Sequence, residues 1–134
     1  MGAWGSDSFD NDAACDWSYL LEESRDLSLV ESTLKAAAGS EGEYLDADAG
    51  CEALAACEVV ARLRGQFGAR NSHTETVDNW VKSHPLRPSG ELLDLARRAI
   101  TRVLGKDSEL RELWSDSDGA EWEAAVARLR NRLG

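Results

Sequence analysis

Residues 47–67 read ADAGCEALAACEVVARLRGQF, and this run decides the fold. Wound as a helix it is roughly 30 Å long, and its polar residues Asp48, Glu52, Arg62 and Gln66 fall on one narrow strip. A helix that is apolar or small on nearly all sides belongs at the centre of a domain. Gly50, Ala53, Ala55, Ala56 and Ala61 let neighbours approach closely, while Val60, Leu63 and Phe67 supply bulk. Glu52, Glu58, Arg62 and Arg64 interrupt the run, so it is not a membrane span.

Outward from this element, apolar side chains recur at helical spacing almost throughout, and no stretch shows the strict alternation of a half-buried strand. The expected class is all-α, a single-domain bundle of about six to seven helices over residues 1–134, with residues 1–10 as an N-terminal strap and 11–134 as the bundle. The first helix is expected from Asn11 to Ser24 with Ala13, Trp17, Leu20 and Leu21 inward. A second runs from Ser28, where Ser28 and Glu31 form a capping box, to near Gly39, with Val30, Leu34, Ala37 and Ala38 inward. Asp46 caps the long helix. Thr74 opens a short one holding Val77, Trp80 and Val81, which His84-Pro85 ends. Ser89 opens a helix with the cleanest stripe in the chain, Leu92, Leu95, Ala96, Ala99, Ile100 and Val103, closed by Gly105. Ser108 caps a short helix with Leu110, Leu113 and Trp114, and Asp118 with Glu121 starts the last, with Trp122, Ala125, Val126, Leu129 and Leu133 inward. Consecutive hairpins also leave a short solenoid-like stack open.

The chain has 134 residues, 43% of them hydrophobic and 30% charged, which suits one self-folding domain. Its net charge of −10 is uneven: residues 1–58 carry 14 acidic and 2 basic side chains, residues 59–134 carry 11 and 13. Two interpretations stand, a solvated face that pairs partly with the chain's own arginines, and a docking surface for a basic protein partner. Neither provides the concentrated basic patch that phosphate contacts need, so nucleic acid is not an expected partner, and neither is a membrane. Arginine outnumbering lysine and abundant alanine point to a high-GC bacterial source. Cys15, Cys51 and Cys57 lack a Cys-x-x-Cys spacing, and no signal peptide stands at the start, so reduced thiols and a cytoplasmic location are expected.

The least generic text is Met1-Gly2-Ala3-Trp4-Gly5, followed by Phe9-Asp10-Asn11-Asp12-Ala13. Gly2 and Gly5 free the backbone around Trp4, so the chain can turn and set the indole into a groove. Asp10 or Asn11 accepts the free amides of the first helical turn, Asp12 adds charge at the positive end of the helix dipole, and Phe9 acts as a hydrophobic staple. On these residues the chain resembles a family of small bacterial proteins, domain of unknown function 4259, whose members open Met-Gly-x-Trp-Gly, a short spacer and Phe-Asp-Asn-Asp-x-Ala. Asp7 stands in the spacer where the family pattern has glycine. Trp80-Val81, Glu91 to Leu104, and Leu110 to Trp114 with Trp122 look similar to the family's later helices. The resemblance implies membership and carries over no activity, cofactor or catalytic residue.

Catalytic signatures are missing. Asp10, Asp12 and Asp16 suggest a divalent cation, but an EF-hand loop begun at Asp10 has Ala14, Cys15 and Leu21 where a ligand, glycine and glutamate belong, and one begun at Asp116 fails at Ala120. His73 and His84 flank a helix instead of sharing a face at zinc spacing, and no nucleophile elbow, P-loop or dinucleotide fingerprint occurs. No cofactor is expected. Trp17, like most of the five tryptophans, is a core residue, with Trp114 the most exposed. The first functional expectation is a small acidic protein-interaction module, with an immunity- or antitoxin-like protein as one form and Asp16, Glu52 and Trp114 as candidate contacts. The alternative is a ligand- or metal-dependent enzyme with its pocket between the acidic first helix and the long one, where Asp12, Asp16 or Glu52 would converge.

Overall fold

The computed structural model describes residues 5–40, 42–115 and 119–134. Seven helices appear among them: α1 (Asp12–Glu22), α2 (Ser28–Ala38), α3 (Ala47–Leu63), α4 (Glu75–Ser83), α5 (Gly90–Leu104), α6 (Glu109–Ser115) and α7 (Gly119–Leu133). The described residues form no strand, and one isolated parallel bridge links Leu45 to Ser108. The class is all-α.

The long helix is the hub. α3 packs against each of the other six helices, and twelve of its 17 residues are buried. A solenoid unit touches only its neighbours, so the hub arrangement replaces the stacked alternative. Asp46 Oδ1 accepts the Ala49 amide at 2.8 Å, as expected, and Glu109 at the start of α6 accepts the Ala47 amide at 2.8 Å. Two of the orphan donors at the helix start are satisfied this way, one locally and one across 62 residues of sequence.

The helix stops four residues before the expected Phe67. Gly65 takes φ +82°, the Gly65 amide bonds the Arg62 carbonyl at 2.9 Å, and the Gln66 amide bonds the Ala61 carbonyl at 2.9 Å. This is a Schellman closure on a left-handed glycine. Phe67 therefore leaves the core and is 37% exposed, whereas Arg62, expected on the polar strip, is buried.

Elsewhere the stripes set the packing. All six α5 residues expected inward are buried. Val30, Leu34 and Ala37 of α2, Val77, Trp80 and Val81 of α4, and Trp122, Val126, Leu129 and Leu133 of α7 are buried too. Trp17 donates to Thr33 Oγ1 at 3.0 Å and Trp80 to the Ser24 carbonyl at 2.9 Å, so these two of the buried indoles have partners. His84 stacks on Trp80 with ring centroids 4.4 Å apart.

Several expectations need correction. On α1 the buried face is Ala14, Trp17, Ser18 and Leu21, which turns Leu20 out to 54% exposure; Leu20 lies about 100° from Leu21 around the axis. Leu113 of α6 is exposed as well. Ser28 does not cap α2: its own amide is accepted by Asp26 at 2.9 Å, and Leu27 holds the cap position without a side-chain bond. Thr74 sits at the α4 cap position, but its hydroxyl binds Asp78 Oδ2 at 2.7 Å instead of capping an amide. Ser108 Oγ is buried with no hydrogen-bond partner among the described residues. The expected caps at Asp118, and the Trp4 strap contact, fall outside the described residues.

Candidate functional site

A cleft of about 540 Å³ opens where the N-terminal segment, the C-terminal half of α3, the loop after it and α7 meet. Its floor is ionic. Glu58 and Arg62 face it from α3, one turn apart, and their carboxylate and guanidinium are in direct contact. Arg132 of α7 binds both Glu58 oxygens, at 2.9 and 3.0 Å, and Ser8 donates its hydroxyl to Oε2 at 2.8 Å. Arg62 continues to Asp78 of α4 at 2.8 Å and to the Ala69 carbonyl at 2.8 Å. Its side chain is only 1% exposed. The guanidinium carbon lies 5.8 Å from the Phe9 ring and 5.8 Å from the Phe67 ring, and Arg70 adds a cation to Phe67 at 4.3 Å.

A buried charge survives only when paired and hydrogen-bonded. Here one carboxylate receives two arginines and a serine, and one of those arginines holds a second carboxylate, so the cluster closes on itself. Burial pushes the Glu58 carboxyl up, but Arg132's hydrogen bonds, the charges of Arg62 and Arg132 and the Ser8 hydroxyl outweigh it and hold Glu58 below the ordinary carboxylate value. The two paired arginines favour the charged form of Glu58.

The N-terminal motif forms one wall of this cleft. Phe9 is buried, and Asn11 caps α1 by accepting the Ala14 amide at 2.8 Å while its own amide group donates to the Ser8 carbonyl at 3.1 Å. Of the two capping candidates Asn11 does the work, and Asp10 instead accepts the Asp7 amide at 3.2 Å. Gly5 sits tight against Asp10: a Cβ there would stand 2.3 Å from the Asp10 carboxylate, which would have to move.

The remaining candidates lie elsewhere. Asp12 and Asp16 are exposed on α1, and with Asp10 they surround Cys15, whose thiol is pushed up by burial first and then by Asp12, Asp16 and Asp10. Glu52 is half-buried on α3 and is raised by burial, then by Asp48 and Asp46. Asp12 and Asp48 line a narrow cleft of about 70 Å³ between α1, α3, α6 and α7, together with Cys51, Trp114 and Trp122. Asp16 and Glu52 do not reach it, and its volume is far below the roughly 300 Å³ at which ligand pockets begin. No group of three or more metal-ligating side chains gathers among the described residues. Trp114 is half-buried and stacks on Trp122 with centroids 6.4 Å apart, so part of its ring is committed to the fold. Burial pushes the Cys51 thiol up to about 12, and Cys57 is also raised, so both stay protonated and unreactive.

The Glu58, Arg62, Asp78, Arg132 and Ser8 cluster was not anticipated from sequence. One local signal was present: a Glu and an Arg four apart, in the favourable order, inside an otherwise apolar helix. If such a helix is central, both charges must be buried and must find partners. Nothing local points to Arg132, 74 residues away from Glu58.

No described helix is long and apolar enough to cross a membrane. No curated protein and no solved structure matches the chain. A family model described as Domain of unknown function (DUF4259) matches residues 2–125 of the 134, and the chain therefore belongs to that family.

Proposed function

We propose that this chain is a protein-interaction module that receives a basic partner on the outward face of α1. The observation that carries the reading is a stripe opposite the buried face. Asp12, Asp16, Tyr19 and Glu23 follow one another at helical spacing, with Leu20 beside them. Tyr19 is 59% exposed, and it stands with Leu20 among carboxylates on a chain of net charge −10. A large amphipathic ring framed by like charges is the composition of an interface anchor with an electrostatic rim. Trp114 and Glu52 are secondary candidates, and an immunity- or antitoxin-like protein is one form this function takes.

Affinity capture from the native host with the wild-type chain, Tyr19→Ala and Asp16→Lys tests the proposal. A partner of net positive charge should be recovered stoichiometrically, weaken as salt rises and be retained about tenfold or more less well by both variants. Equal recovery by all three chains, or a partner that is not basic, would overturn the reading.

A further inference from the structure

The cleft of about 540 Å³ beside Glu58 and Arg62 is separate from the α1 face. Its volume falls in the range of small-molecule pockets. The buried floor does not select a ligand by charge, because its groups already satisfy one another. Glu58 Oε1 is held by Arg62 and Arg132, Oε2 by Ser8 and Arg132, and the other two nitrogens of Arg62 by Asp78 and the Ala69 carbonyl.

The rim is different. Asp7 and Asp10 line the cleft from the N-terminal segment, and among the described residues only one Asp10 oxygen is engaged, by the Asp7 amide. Arg128 and Asn131 line it from α7, and neither side chain forms a hydrogen bond or ion pair among the described residues. Between these walls lie Phe67, Gly68, Ala69 and Ala125, with Phe67 the one aromatic side chain among the described lining residues that is exposed. A simple anion would meet Arg128 but also two carboxylates. A simple cation would meet those carboxylates but also Arg128. A ligand with both charges, held apart, satisfies both rims.

We infer that the cleft binds a small zwitterionic molecule, its ammonium directed to Asp7 and Asp10, its carboxylate to Arg128 and Asn131, and its apolar middle along Phe67 and Ala69. The guanidinium and the amide suit a carboxylate, since each offers donors in a planar arrangement. The volume admits a body of several carbons between the two charged ends.

The test uses 6-aminohexanoate, hexanoate and hexylammonium as probes of the full chain, followed by amide chemical shifts. Saturable shifts confined to residues 7–10, 67–71 and 125–132 are expected with 6-aminohexanoate, and about tenfold weaker binding of either singly charged probe. Arg128→Gln should remove the preference over hexylammonium, and Asp7→Lys the preference over hexanoate. Both positions are outside the buried cluster, and unchanged denaturation midpoints would confirm that folding is kept. Equal binding of the three probes, shifts outside the cleft, or no saturable response below about 10 mM would each refute the site.

Discussion

The two flanks of α3 are built from different materials. Toward α2 and α5 every buried side chain on the facing helices is apolar: Val30, Leu34 and Ala37 on one, Leu92, Leu95, Ala96, Ala99, Ile100 and Val103 on the other. Toward the N-terminal segment, α4 and α7 the same helix offers Glu58 and Arg62, and its neighbours answer with Ser8, Asp78 and Arg132. Apolar packing is non-directional and rewards filled volume. The ionic flank is directional: each partner must arrive at one place and one angle, which ties the segment around Ser8 and the last helix to a single register on α3. The difference teaches that one helix can serve as ordinary core on one side and as a floor for a cleft on the other.

The contrast can be broken most sharply at Arg62. Replacing Arg62 by Ala leaves Glu58 and Asp78 without it in a buried setting, and should cost about 3–5 kcal/mol in urea denaturation. A loss below about 1 kcal/mol would mean that the cluster is not what holds that flank. On the apolar flank, Leu34→Ala should cost about 3 kcal/mol through lost transfer energy and a cavity, with no dependence on pH.

Acid sharpens the comparison further. Glu58 is held below the ordinary carboxylate value of 4.5, so its contribution is full above that pH and is lost as pH falls through the lowered value in the folded state. Wild type and Leu34→Ala should therefore weaken in parallel below about pH 4.5. Glu58→Gln should start less stable and show a flatter acid slope, measured as denaturation midpoint against pH; an unchanged slope would place the acid sensitivity in other carboxylates.

Smaller effects belong to the termini of the helices. Asn11→Ala removes the α1 cap and should cost about 1 kcal/mol by thermal unfolding. Gly65→Ala should cost a similar amount, about 1 kcal/mol. Among the described residues, nothing beyond its chain neighbours lies within 4 Å of an added Cβ at Gly65, so that penalty would come from its positive φ. A stabilising Gly65→Ala would show that the turn after α3 relaxes without consequence for the cleft.

Much of the fold was legible because helices report themselves locally. The α5 stripe is right residue by residue, since a 3.6-residue period with one broad apolar face leaves little choice of which side is buried. Asp46 and Ser89 were legible as caps for an equally local reason, a short acceptor three residues before an unsatisfied amide. Leu20, Leu113 and Phe67 were misjudged because an apolar side chain at the edge of a stripe is turned in or out by its neighbours, which periodicity does not contain. The candidate site was half legible. The motif around Phe9 to Asn11 stands out, but on α3 Arg62 reads only as part of a narrow polar strip, since sequence alone does not place it beneath two aromatic rings.

By itself, then, the sequence determined the class, the number of helices, the central position of α3 and the excess of negative charge in its first half, all of which depend on spacing and composition within a few turns of chain. Tertiary structure alone decided that Glu58 meets Arg132 and Ser8, that Arg62 is buried while Leu20 is not, and that a cleft opens beside them. Those outcomes depend on which helices cross, and a charge separated by fifty or more residues from its partner leaves no trace in local periodicity.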